Sequence, residues 1–321
     1  MTAIGRGVLL LAAALPPATA VAQTYPDRPL RMIVPFPAGS QTDIIARIVG
    51  ARLAEGIGQP VVIDNRVGAS GAIGVALAKN APADGYTLMM ASFATFALLP
   101  ALKPQLPYDA ERDFSALSRV ASGVFVLAVN PALGANTVAD LIKLAKARPG
   151  RLNYGSSGNG SIQHLAGEMF NLQAGVQTVH VPYKGAVIAL TDLIAGQIQF
   201  IVASPTIVAP HAKAARLRIL ATTGATRDPL LPEYPSVAET IAGFEITSWQ
   251  GIALPARTPA VIVGRLHGEI ARALQSPAVR DALTIQGVSA LSETPAAFAA
   301  FIRADRERMA RVARQVDLAL D

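Results

Sequence analysis

Leu30-Arg31-Met32-Ile33-Val34-Pro35-Phe36-Pro37-Ala38-Gly39-Ser40-Gln41-Thr42-Asp43-Ile44-Ile45 is the stretch on which the fold turns. Residues 31–36 are apolar and β-branched enough for a strand, and residues 37–42 carry the Pro, Gly and Ser of a turn. Ile44, Ile45, Ile48, Val49 and Leu53 then recur at helical spacing, with Gly56 and Gly58 placed to end the helix. A strand, a tight turn and a helix make the repeating unit of a sheet covered by helices.

The same unit recurs outward from there. Residues 61–63 and 86–91 read as strands, with a glycine-punctuated turn at 68–74 and a helix at 73–81 between them. A second set starts near Val124, with strands at 124–129, 152–154, 179–181, 199–202 and 217–221. Its helices are expected at 138–147, at 162–174 with Leu165, Met169, Phe170 and Leu172 on the buried side, and from the turn at 182–185 to Ala195. After a Pro-rich, charged stretch at 227–235 and an extended one at 244–254, residues 261–274, 277–286 and 295–318 read as helices. The expectation is two α/β lobes with parallel sheets, crossing near Val124 and Trp249: 23–124 plus 249–321 in the first lobe and 125–248 in the second.

Composition narrows the class. With 321 residues, 51% hydrophobic and 16% charged, the chain buries too much for disorder, and the absence of cysteine excludes a disulfide scaffold or a thiolate metal site. A mean hydropathy of +0.38 raises the question of a membrane protein. Only the start answers to it: Arg6, the apolar residues 8–15 and Ala20-Val21-Ala22 before Gln23 read as a secretory leader over 1–22. With no cysteine to carry a lipid, the expected location is the periplasm. The net charge of +6 does not point to nucleic acid: Arg303, Arg306, Arg308, Arg311 and Arg314 share a helix with Asp305 and Glu307, and one Trp is poor material for base stacking.

Three strand-to-helix turns share one chemistry: Pro37-Ala38-Gly39-Ser40-Gln41-Thr42-Asp43, Gly155-Ser156-Ser157-Gly158-Asn159-Gly160-Ser161 and Tyr183-Lys184-Gly185. Small residues admit a ligand to the backbone, and hydroxyls with helix-start N–H groups favour an anion. Singly, each is ordinary turn chemistry; Ser40 and Asp43 have capping-box spacing and Ser161 stands at an N-cap. Together they point to a cleft. Enzymatic motifs are missing: no H-E-x-x-H, no completed G-x-S-x-G and no metal-spaced carboxylates, and 68–74 lacks both dinucleotide and P-loop patterns. His164 with Ser157 or Ser161 is the one pairing for acyl transfer, and no cofactor or metal is expected.

Tyr25-Pro26-Asp27-Arg28-Pro29-Leu30-Arg31, Val34-Pro35-Phe36-Pro37-Ala38-Gly39, Gly58-Gln59-Pro60-Val61-Val62 and Pro82-Ala83-Asp84-Gly85-Tyr86-Thr87-Leu88 follow in order. Residues 153–164, His180-Val181-Pro182-Tyr183-Lys184-Gly185 and Ser248-Trp249 continue the series. The mature chain resembles the Bug family, solute-binding components of tripartite tricarboxylate transporters. That resemblance implies a two-lobe periplasmic binding fold of type II-like topology with its cleft between the lobes, and delivery of a small organic acid to one large and one small membrane subunit. It implies a monomer and a site built from Ala38, Gly39, Ser40, Gln41 and Asp43, from Ser156, Ser157, Gly158, Gly160, Ser161 and His164, and bordered by Tyr183, Lys184, Gly185 and Ser204.

The chain departs from the family where paired glycines are reduced to Gly39 alone, and where Ala203-Ser204-Pro205 stands in place of an aspartate that receives a ligand ammonium. The expected guest is therefore an amine-free mono- or dicarboxylate, an aromatic acid included, with Phe93 and Phe96 as apolar walls. A binder that presents its ligand to a sensor, and a secreted Ser/His acyl-transfer enzyme, are the alternatives.

Overall fold

The computed structural model describes residues 25–103 and 105–316. The leader read at 1–22 lies outside the described residues; the helix expected to reach Leu318 is corrected, since it ends at Ala313 and residues 314–316 form a turn.

The opening stretch folds into β1 (Leu30–Val34) and α1 (Gln41–Ile57). Ser40 caps α1 by accepting from the Asp43 N–H, and Gly58 ends it at φ 70°, a left-handed conformation glycine adopts without penalty. β2 (Val61–Asn65), α2 (Ala72–Lys79), β3 (Thr87–Ser92), a π-helical turn at Ala94–Leu98, α3 (Leu99–Leu102) and β4 (Phe114–Val124) complete the first pass. The second set comprises β5 (Val126–Val129), α4 (Val138–Ala147), β6 (Asn153–Ser156), α5 (Ile162–Ala174), β7 (Val179–Pro182) and α6 (Ala186–Ile194). It continues through β8 (Phe200–Ala203), α7 (Pro205–Lys213) and β9 (Arg218–Thr222). β10 (Thr247–Pro255), α8 (Ala260–Gln275), α9 (Pro277–Ile285), β11 (Ser289–Ala290) and α10 (Pro295–Ala313) return to the first sheet.

Two sheets result, ordered β11-β4-β10-β3-β1-β2 and β7-β6-β8-β5-β9. β1 lies parallel to β2 and β3, and β6 parallel to β7 and β8. The expectation of wholly parallel sheets is corrected here, because β10 runs antiparallel to β3 and β4, and β5 antiparallel to β8 and β9. The reason is connectivity. A strand that enters a sheet from the other lobe, instead of through a helical crossover, is free to run against its neighbours.

The chain passes between sheets at 124–126 and again at 222–247, and Thr223 ties the two passes together. Its hydroxyl accepts from the Phe125 N–H at 2.8 Å and donates to the Ile246 carbonyl at 2.7 Å, while Ile246 N–H donates back to the Thr223 carbonyl at 2.9 Å. Trp249, Tyr154, Phe96, Phe170, Phe200 and Phe298 are fully buried, each side chain contributing roughly 1.5–3 kcal/mol of apolar transfer. Leu172 is a correction: it is 44% exposed, because the stretch of α5 that packs on the sheet ends at Phe170. Among the described residues no helix is long and apolar enough to cross a membrane.

Candidate functional site: a cleft without fixed charge

A cleft of about 570 Å³ opens between the two sheets, and three helices begin at it. Gln41 and Thr42 come from the first turn of α1, Ser161, Ile162 and Gln163 from the start of α5, and Ser204 and Thr206 from the start of α7. The first N–H groups of a helix have no intrahelical acceptor and stand at the positive end of its dipole. Among the described residues that line the cleft, none is charged. Apolar walls come from Phe36, Phe93, Leu98, Phe125, Trp249 and Ile285. The arrangement offers an anion directed N–H groups and hydroxyls in a partly apolar setting, and no side chain to ionise against it.

The expected site residues divide into two sets. Gln41, Ser157, Gly160, Ser161 and Ser204 line the cleft. Ser157 donates to Gln163 Oε1 at 2.9 Å, Ser204 pairs with Thr206 at 2.8 Å, and Gln41 Nε2 donates to the Gln286 carbonyl at 3.0 Å. The other residues stand behind or beside this surface. Ala38 and Gly39 are exposed outside the lining, and Ser40 is occupied in capping α1. Asp43, 2% exposed, accepts from the Gly39 N–H, from Asn65 and twice from Arg47. Burial alone would raise its carboxyl, but the Arg47, Gly39 and Asn65 hydrogen bonds outweigh that and hold it below the usual carboxylate range.

The glycine/serine loop rests on a second buried assembly. Ser156, fully buried, accepts from the Gly158 N–H at 3.0 Å and meets His180 Nε2 at 2.6 Å. His180 stacks on His164 with ring centroids 3.7 Å apart, and His164 Nδ1 accepts from the Gly160 N–H at 3.2 Å. Burial disfavours the charged imidazole, and for His180 the His164 ring adds to this, pushing it down to about 4; burial likewise lowers His164 against the opposing pull of Glu168. Tyr183 backs the loop, its N–H on the Ser156 carbonyl and its hydroxyl on Asp192 at 2.7 Å, while Lys184 is exposed and Gly185 begins α6. The Ser157 and Ser161 hydroxyls are bonded to Gln163 and to the His164 backbone, not to the imidazole that an acyl-transfer pair needs.

Phe93 lines the cleft as expected, whereas Phe96 does not: it is fully buried against Phe114, with centroids 5.1 Å apart. The π-helical turn after β3 separates the two, directing one ring to the cleft and the other to the core. Sequence reasoning missed Ser248, Gln250 and Gln286 on the first sheet's side and Thr206 on the second. Gln250 alone carried a signal, a polar amide inside the apolar run Trp249-Gln250-Gly251-Ile252-Ala253-Leu254.

Two sheets meeting at a cleft where helices begin define a two-lobe binding protein. The chain belongs to the TctC family: the model described as tripartite tricarboxylate transporter family receptor matches residues 45–318. Protein BugT of Bordetella pertussis is 37% identical, with 92% of this chain and 91% of BugT covered. Among solved structures, an R. palustris protein with adipate matches with a TM-score of 0.76 at 35% identity, over 90% of this chain and 97% of its own. MatC from Rhodopseudomonas palustris with bound malate matches with a TM-score of 0.73 at 26% identity, over 90% of this chain and 100% of its own. The Bug resemblance and the two-lobe α/β fold are thereby established.

Proposed function

We propose that the protein is a non-enzymatic carrier that captures a small, amine-free organic carboxylate in the periplasm, after removal of its leader, and delivers it to the membrane subunits of a tripartite tricarboxylate-type transporter. One observation carries this reading: a cleft lined by no fixed charge receives three helix starts from both sheets. Such a lining stabilises a carboxylate through neutral donors and leaves an ammonium without a counter-charge, which is costly to bury. The adipate and malate carried by the two R. palustris relatives support the carboxylate class.

Isothermal titration and thermal shift over a panel of organic acids test it. At 100 times its dissociation constant a true ligand adds about 2.7 kcal/mol to stability, a readily measured rise in melting temperature. Gly160→Leu fills the cleft and removes that rise; because Gly160 sits at φ +68°, the variant also melts lower when empty. Tight binding of aspartate or glutamate overturns the amine-free reading, and turnover of carboxylic esters overturns the carrier.

A further inference from the structure

Gln250 stands on β10 between Ser92 of β3 and Ala121 of β4, lines the cleft, and is 3% exposed. Its amide nitrogen donates to Ser248 Oγ at 3.2 Å, but its carbonyl oxygen is buried with no hydrogen-bond partner. Leaving such an acceptor unpaired costs about 1–3 kcal/mol, so an uncompensated one in a binding cleft calls for a donor brought from outside. No hydroxyl among the described residues lies within hydrogen-bond reach of it, and those of Ser157 and Ser92 are engaged elsewhere, with Gln163 at 2.9 Å and with Thr95 at 3.1 Å.

An ionised carboxylate has no hydrogen to give and would face this oxygen with its own lone pairs. An ammonium has hydrogens but leaves a charge unmatched in a lining without carboxylates. A hydroxyl group fits both conditions. We propose that Gln250 is a specificity-determining residue whose side-chain carbonyl accepts a hydrogen bond from a hydroxyl on the ligand, so that the cleft selects hydroxycarboxylates over the same acids without the hydroxyl. This rests on the carboxylate-binding reading above and adds to it a second anchoring point, on the first sheet, away from the helix starts of α5 and α7.

Matched pairs test it by titration calorimetry on the full mature chain: succinate with malate, and benzoate with its three monohydroxy isomers. At least one hydroxylated acid is expected to bind about tenfold or more tightly than its parent. In Gln250→Met, which keeps the length but not the acceptor, that ratio falls to near one. In Gln250→Glu, which keeps an acceptor but sets a like charge against the ligand, every acid binds more weakly and the ranking of hydroxylated over parent acid survives. Melting curves of the empty variants establish that each is folded, and the wild-type ratios stand independently of them. Parent acids that bind as well as or better than every hydroxylated partner overturn the assignment of Gln250 while leaving carboxylate binding intact. If no acid in either series binds, the carboxylate reading falls and the Gln250 assignment with it.

Discussion

At the start of α1, Ser40 caps the helix and the Asp43 carboxylate gathers Gly39, Asn65 and Arg47; at the start of α5, Ser161 provides the same cap and two stacked imidazoles take the carboxylate's place. One clamp is an ion pair, the other is held together only while it stays neutral. The difference bears on the cleft. Asp43, in the first turn of α1, offsets the positive end of that helix, whereas α5 and α7 have no acidic residue in their first turns. The helix starts of the second sheet therefore present the stronger positive potential to a guest.

The largest effect that would break this comparison is Asp43→Ala. It removes four hydrogen bonds to a buried carboxylate, from the Gly39 N–H, the Asn65 amide and twice from Arg47, and is expected to lower unfolding free energy by about 2–3 kcal/mol in urea titration. A loss no greater than that of a surface substitution would mean that the charged clamp does not hold the α1 loop.

Acidification comes next and separates the two clamps. His180 is held at about 4 in the fold against 6.5 when free, so between those values the unfolded chain binds more protons and stability falls as pH falls. Asp43 has the opposite starting point: its contribution is present above 3.8 and is lost only as pH drops through its lowered folded value. Because intrinsic amide exchange itself slows as pH falls, the protection factors of Gly158 and Gly160, rather than their raw exchange rates, are expected to drop between pH 6.5 and 4, before that of Gly39. His180→Phe keeps a stacked ring and flattens the pH dependence of stability in that window; an unchanged slope would remove the histidine pair from the argument.

The smallest effect is the sharpest. Ser40→Ala and Ser161→Ala each remove one N-cap and are expected to cost about 1 kcal/mol of stability. Only Ser161→Ala is expected to weaken carboxylate binding, since Ser161 lines the cleft and Ser40 does not. Equal losses of affinity in the two variants would contradict the bias toward the second sheet.

Where periodicity was strong, the sequence was legible down to single residues: the helices at Val138–Ala147 and Ile162–Ala174 have the expected ends. β4 escaped because its eleven residues, Phe114–Val124, interleave Ser, Arg and Gly with apolar positions and keep no clean alternation. α7 escaped because Pro205 and Pro210 read as breakers, although Pro205 occupies the first turn of the helix, where its missing N–H costs nothing. The second-sheet loop was visible as glycine and serine chemistry. On the first-sheet side Gln41 and Phe93 were legible, but Ser248 and Gln250 were not, since β10 brings them to the cleft by antiparallel pairing with β3 and β4, distant parts of the chain.

The lining without fixed charges has a consequence for how capture responds to the medium. An ion-paired site draws its ligand through a field that added salt weakens, the Debye length shrinking from about 30 Å at 0.01 M to about 3 Å at 1 M. Hydrogen bonds from N–H groups and hydroxyls instead act over contact distances, at or inside the Debye length at any of these salt concentrations. Under the proposed carrier reading, occupancy is expected to follow the concentration of the ligand and to depend little on the salinity of the surroundings.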